Sequence, residues 1–185
     1  TPLYSSAASD VYKRQAITST QMERKSGKAA EVLGKASLQK GDTIIISSNT
    51  GINTVPVEAA LYAKQKGLTV VCVTSKTVSE QLKPRSAIGK HLCDVSDIVI
   101  DNHAPFGDGV FTVPGTNQVT GGASTFGSLF IAQRIVLKIE NLYLKNGEIP
   151  PILRSANIPG GDEFNAKAVA PVSYTHLTLP TNREV

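Results

Sequence analysis

Tryptophan is absent from this chain, and cysteine occurs only twice, histidine three times and methionine once. Cys72 and Cys93 are too few for a disulfide framework, and their spacing is not that of a zinc site. They read as reduced packing residues of a cytosolic protein. No His or Cys pair has ligand spacing, so no metal site is expected. No apolar run approaches the ~18 residues of a membrane span, and no signal-peptide pattern stands out. A soluble, cytoplasmic protein without a membrane partner is the expectation. An excess of charge of one sign is missing too: 19 Lys and Arg face 15 Asp and Glu, for a net +4. The lysines are scattered, whereas a nucleic-acid groove needs basic residues gathered on one face. A dinucleotide fingerprint is also missing, since no Gly-x-Gly-x-x-Gly follows a strand. No cofactor is expected.

What is present is a 41% hydrophobic composition weighted to Ile, Val, Leu and Ala, in a chain of 185 residues that can bury one proper core. The most informative stretch runs from Gly41 to Glu58. A Gly-Asp turn leads into the β-branched run Thr43 to Ile46, which reads as a buried strand. The run breaks into Ser47-Ser-Asn-Thr-Gly-Ile-Asn-Thr54, small hydroxyl and amide side chains around one glycine. Pro56 then sits near the first turn of a helix, where its missing N–H does no harm. A strand, a polar glycine turn and a helix N-terminus together form an anion site, because free backbone N–H groups and the helix dipole converge there. The loop holds no Lys or Arg, so its donors are neutral.

Elements alternate along the rest of the chain. Helical patterning covers residues 21–38 and 55–66, the second ended by Gly67. Residues 68–74 form a nearly all-apolar strand, as in a sheet covered on both faces. Residues 79–92 read as a loop and a short helix. Strands follow near 97–101 and 110–113, and then a long amphipathic helix over 124–145. The pattern predicts a three-layer α/β/α fold with a mainly parallel sheet, and ligands at the carboxyl ends of its strands. The two ends, 1–15 and 172–185, show no period of 2 or 3.6. They resemble translated sequencing-adapter read-through and are set apart from a core over 16–171.

Within that core, Ser48-Asn-Thr-Gly-Ile-Asn53 resembles the Ser-x-Ser-Gly-x-Thr/Ser phosphate loop of the sugar-isomerase (SIS) domain, a phosphosugar-binding α/β module. Asn49 to Glu58, Ile98-Val-Ile-Asp-Asn102 and Ser155 to Glu163 resemble a bacterial SIS branch of unassigned function, whose members are commonly labelled phosphosugar isomerases. The resemblance covers about residues 21–165. It implies a flavodoxin-like sheet, a small phosphorylated sugar as partner and a homodimer or higher assembly. The implied function is sugar-phosphate isomerisation; the alternative is a non-catalytic module that senses a phosphosugar. Family members open with a further helix and strand, which nothing between Ala16 and Gly41 matches. The resemblance therefore implies that the first strand is missing, that the strand at Thr43 has an unpaired apolar edge, and that the fragment is unstable or inactive.

The candidate ligand residues are Ser48, Asn49, Thr50, Gly51, Asn53 and Thr54 in the loop. The same residue types also suit a plain turn with a helix cap. Thr74 and Ser75 end the second strand, where the family often has a Thr-Ser lining the sugar pocket; as bare residues they suit a turn. Ser124 and Thr125 open the long helix and can cap it. They also resemble a Ser-Thr-Lys segment of isomerase members, but Phe126 stands where that lysine would be. Proton transfer between adjacent carbons needs a base, usually Glu or His. Glu58 is the nearest carboxylate after the loop and is equally an acid in a first helical turn. His103 follows the third strand and is the better base candidate. Isomerisation through an enediol can proceed without metal.

Overall fold

The computed structural model describes residues 17–169. The segments 1–15 and 172–185 that the sequence sets apart lie outside the described residues. The chain divides after Ile131 into two compact units.

The first unit is built on a parallel sheet. β1 (Thr43–Ser47), β2 (Thr69–Thr74) and β3 (Ile98–Asp101) lie in the order β1-β2-β3. The register aligns Ile45 with Val71 and Val71 with Ile98, and at the carboxyl ends Thr74 with Asp101. β2 is central and buried from Val70 to Thr74. β1 is an edge strand, and its burial alternates: Ile44 and Ile46 are half-buried while Ile45 is 49% exposed.

One face of the sheet carries α3 (Thr54–Gln65) and the short α5 (Leu92–Val95). Val57, Ala60 and Ala63 come from one face of α3 at helical spacing and meet Val70, Cys72, Leu68 and Leu92 in a continuous core. Ile44 and Ile46 pack against that core, so Thr43, Ile45 and Ser47 point to the opposite face. There the Ser47 hydroxyl meets the Ser128 hydroxyl at 3.2 Å, in the early turns of α6 (Ala123–Lys145). Helices flank the sheet on both faces, which makes the fold three-layer α/β/α.

Two elements differ from the sequence pattern. The helix expected over 21–38 is broken. Residues 17–23 are helical as α1, Gly27 takes a left-handed φ of 82°, and α2 covers Lys28–Leu33. A left-handed residue ends a helix, and glycine adopts it without a Cβ clash. The strand expected near 110–113 exists as β4 (Gly109–Thr112), but it does not extend the parallel sheet. It pairs antiparallel with β5 (Val119–Gly122) in a separate hairpin. A parallel neighbour needs a crossover of about a dozen residues or more, and the stretch 102–108 between β3 and β4 is too short for one. Pro114-Gly115 instead turns the chain back, with Val113 N–H donating to the Gln118 carbonyl at 2.9 Å. Between β2 and α5 lies α4 (Lys76–Gln81).

The second unit holds the rest of α6 and α7 (Gly161–Val169). Arg154 and Asn165 exchange two hydrogen bonds of 2.8 Å, and the Arg154 guanidinium lies 3.9 Å from the centre of the Phe164 ring. Val136, Ile139, Tyr143 and Ile152 line an apolar concavity of about 390 Å³ in this unit. α6 buries no residue, and Phe126, Leu129, Phe130, Leu137 and Leu142 along it are exposed. Among the described residues no helix is long and apolar enough to cross a membrane.

The amino ends of the strands are tied by charge. Asp97, just before β3, accepts from Lys64 Nζ at 2.7 Å and from the Val70 N–H at 2.9 Å. The bond from Lys64, then that from Val70, holds the carboxyl below its usual range. A carboxylate with a depressed folded pKa stabilises the fold above its unfolded pKa, and the contribution disappears as pH falls through the folded value. Asp97→Asn should therefore lower the melting temperature at neutral pH, and the difference should vanish as pH falls through the folded carboxyl's depressed value, as thermal melts from neutral to acidic pH would read. In the core, Leu92 is fully buried. Leu92→Ala should destabilise the first unit by about 2–5 kcal/mol in denaturant titrations.

Candidate functional site

The loop between β1 and α3 crosses the carboxyl end of the sheet, and its neighbours take its carbonyls. The Asn49 carbonyl accepts from the Ser75 N–H at 2.8 Å and from the Thr74 hydroxyl at 3.0 Å. The Gly51 carbonyl accepts from the Leu92 N–H and the Ile52 carbonyl from the Arg85 N–H, both at 2.8 Å. Gly51 itself has φ +62°, and a Cβ there would lie 3.1 Å from the Thr74 hydroxyl oxygen and 3.4 Å from Leu92 Cβ. Glycine supplies both the left-handed turn and the room.

With the carbonyls held, the amides are left over. The backbone N–H groups of Asn49, Thr50, Gly51, Ile52 and Asn53 make no hydrogen bond to any described residue. Asn53 is the N-cap of α3 with extended φ and ψ, and its side chain does not cap the helix. The first N–H groups of α3 therefore keep their dipole end free. The hydroxyls of Ser48, Thr50 and Thr54 have no partner among the described residues either, although Ser48 is 8% exposed and Thr54 6%. No fully buried side-chain polar atom among the described residues lacks a partner, so these hydroxyl oxygens reach the outside. A run of free amides, unpaired hydroxyls and a helix N-terminus is what an anion needs.

Most of the remaining sequence candidates are committed to structural contacts. Thr74 and Ser75 are buried, and their hydroxyls are committed, that of Thr74 to the Asn49 carbonyl and that of Ser75 to the Ala104 carbonyl at 2.7 Å. They shape the loop from beneath. The Ser124 hydroxyl donates to Asp108 at 2.8 Å and its N–H to the same carboxylate at 2.7 Å, so Asp108 caps α6. Thr125 is exposed on that helix. Glu58 accepts from the Ser26 hydroxyl and from the Gly27 N–H, the latter at 2.8 Å, and so anchors α3 to the start of α2. His103 has a left-handed φ of 54° and an 85% exposed side chain. Its N–H donates to Asp101 at 2.9 Å, and its Nδ1 lies 3.4 Å from the other oxygen of that carboxylate.

The structure adds residues that the motif did not point to. Asn102 Nδ2 donates to the Asn49 side-chain oxygen at 3.2 Å and to the Ser128 hydroxyl at 3.4 Å, joining the loop, β3 and α6. Arg85 Nη1 donates to the Asn53 side-chain oxygen at 3.1 Å. Beside α5, Lys76, Ser79, His91 and Cys93 line a concavity of about 530 Å³. The Cys93 thiol there is pushed up by burial, and the His91 ring is occupied by the Leu82 carbonyl at 2.8 Å, so the pair is not an activated nucleophile. Among the described residues no group of three or more His, Cys, Asp or Glu side chains could hold a metal ion.

Residues 3–75 match the SIS domain family. The chain is 37% identical over 146 residues to a UPF0309 protein of Shouchella clausii, covering 79% of this chain and 59% of the relative. It is 35% identical over 149 residues to a UPF0309 protein of Halalkalibacterium halodurans, covering 80% and 62%. A UPF0309 protein of Caldanaerobacter subterraneus is 37% identical over 156 residues, covering 83% and 63%. The chain thus spans about three fifths of the length of these relatives. Its residues 3–75 are thus similar to the SIS domain, and the chain is similar to the UPF0309 proteins over that part of their length.

Proposed function

We propose that this protein binds a phosphorylated sugar, with the phosphate held by the loop from Ser48 to Thr54 at the start of α3. One observation carries the reading. The loop's carbonyls at Asn49, Gly51 and Ile52 are all taken by neighbours, while five consecutive amides and three hydroxyls have no partner among the described residues. Polar groups this enclosed are normally paired within the protein or by water. A tetrahedral oxyanion accepts from several such donors at once. The SIS domain, a phosphosugar-binding module, supports the same ligand class.

The chemistry that follows is isomerisation of the bound sugar phosphate, with His103 as base. His103 stands at the carboxyl end of β3, beside Asp101, and its ring is open to solvent. Glu58 is the weaker base, because its carboxylate already serves the start of α2. A sensing role without turnover is the second reading, favoured by the exposed Phe126 in the first turn of α6, where isomerase members of the family carry a lysine. NMR of a sugar-phosphate panel incubated with the protein distinguishes them. New isomers that vanish in His103→Gln support the enzyme; binding without any new isomer supports the sensor.

Thr50→Val tests the loop itself. Valine keeps the shape and removes the hydroxyl donor. A hydrogen bond to a charged group contributes about 1.5–3 kcal/mol, so calorimetry should show sugar-phosphate affinity falling by tenfold or more. Unchanged affinity would remove the loop from the site.

A further inference from the structure

The loop carries no charged residue, yet the fold brings one to it. Arg85 lies on the segment between α4 and α5, more than thirty residues along the chain from Asn53. It is fixed at two points. Its N–H donates to the Ile52 carbonyl at 2.8 Å, and Nη1 donates to the Asn53 side-chain oxygen at 3.1 Å. No carboxylate pairs with it among the described residues, and its side chain is otherwise exposed. A guanidinium presents five N–H donors in a rigid fork, and only one is used here.

We propose that Arg85 is the cationic ligand of this site: held on Asn53 beside the free amides of the Ser48–Thr54 loop, it binds the phosphate of a sugar phosphate and selects a dianion over neutral sugars. The proposal rests on the phosphosugar reading of the loop and goes a step further. Asn53 is 8% exposed, and its oxygen is the acceptor that orients the guanidinium. The strap to Ile52 sets where the arginine starts, and Asn53 sets where it points. Ser48 and Thr54 on the same loop are more than nine-tenths buried, yet their hydroxyls reach the outside with no partner among the described residues, which is an independent sign of a group bound from outside. Neutral amides and hydroxyls bind any oxyanion. A guanidinium adds charge, so it favours the doubly charged phosphate monoester and makes binding depend on salt.

The test compares the unaltered protein with Arg85→Gln, Arg85→Lys and Thr50→Val. Fructose 6-phosphate, inorganic phosphate and fructose are the probes, measured by calorimetry and phosphorus NMR at several salt concentrations, with thermal melts confirming that each variant is folded. Arg85→Gln should weaken both phosphates about tenfold or more and flatten the salt dependence, and Arg85→Lys should recover part of each, since lysine restores the charge but not the fork. Equal affinity in Arg85→Gln, with Thr50→Val weakened, would overturn the role of Arg85 and leave the loop reading standing. A loss in Arg85→Gln that lysine does not recover, with the salt dependence unchanged, would make Arg85 a strap that only holds Asn53, and would also overturn the proposal. Absence of phosphate binding by the unaltered protein would overturn both readings.

Discussion

Three carbonyl oxygens decide the character of the candidate site. Those of Asn49, Gly51 and Ile52 accept hydrogen bonds from β2's end, from α5's start and from the segment between α4 and α5. A peptide unit whose oxygen is fixed on one side presents its N–H on the other. The surrounding scaffold therefore sets the direction of the amides. Gly51 is the pivot, because its left-handed φ turns the chain and its missing Cβ admits the Thr74 hydroxyl and Leu92. The buried hydroxyls of Thr74 and Ser75 belong to the same device: they brace the loop and the backbone after β3. The site is preorganised by packing and hydrogen bonds that a ligand need not form, which lowers the ordering cost of binding.

The layers of the fold explain why these pieces meet. A parallel sheet places the carboxyl ends of β1, β2 and β3 side by side, and the chain leaves each end towards a helix. Asn49 from one end and Asn102 from another are thus within 3.2 Å of each other, although 53 residues apart in sequence. The opposite ends of the strands are closed by Asp97, Lys64 and the Val70 amide. The division of labour matches the general rule that open α/β sheets bind ligands beyond their strands' carboxyl ends.

Much of this was legible in the sequence, and the limits have physical causes. The β-branched run from Thr43, the polar glycine turn, Pro56 in the first turn and the terminal Gly67 are local signals, and β1, the loop and α3 follow them. The apolar run of β2 and the long α6 were legible for the same reason. The break at Gly27 was not, because helix formers stand on both sides of it, and the turn is held by Glu58 from another helix. β4 was legible as a strand but not in its pairing, which depends on β5, a Thr-Gly-Gly stretch with little strand propensity. Arg85, Asn102 and Ser128 belong to no motif. Only the pairing of the strands and the path of the α4–α5 segment bring them to the loop.

Side chains of a kind that supplies chemistry are largely spent on structure. Glu58 holds α2, Ser124 is bound by Asp108, His91 and Asp94 close the start of α5, and burial pushes the pKa of the Cys93 thiol up. What is left near the carboxyl ends is a donor-rich loop, a guanidinium with no carboxylate partner among the described residues, and the Asp101–His103 pair on a left-handed backbone turn. Donors and a cation bind; they do not move protons at neutral pH. In the proposed reading, proton transfer at this end of the described sheet falls to His103 or to groups outside the described residues, and the loop fixes the phosphate so that the rest of the ligand has one place to go.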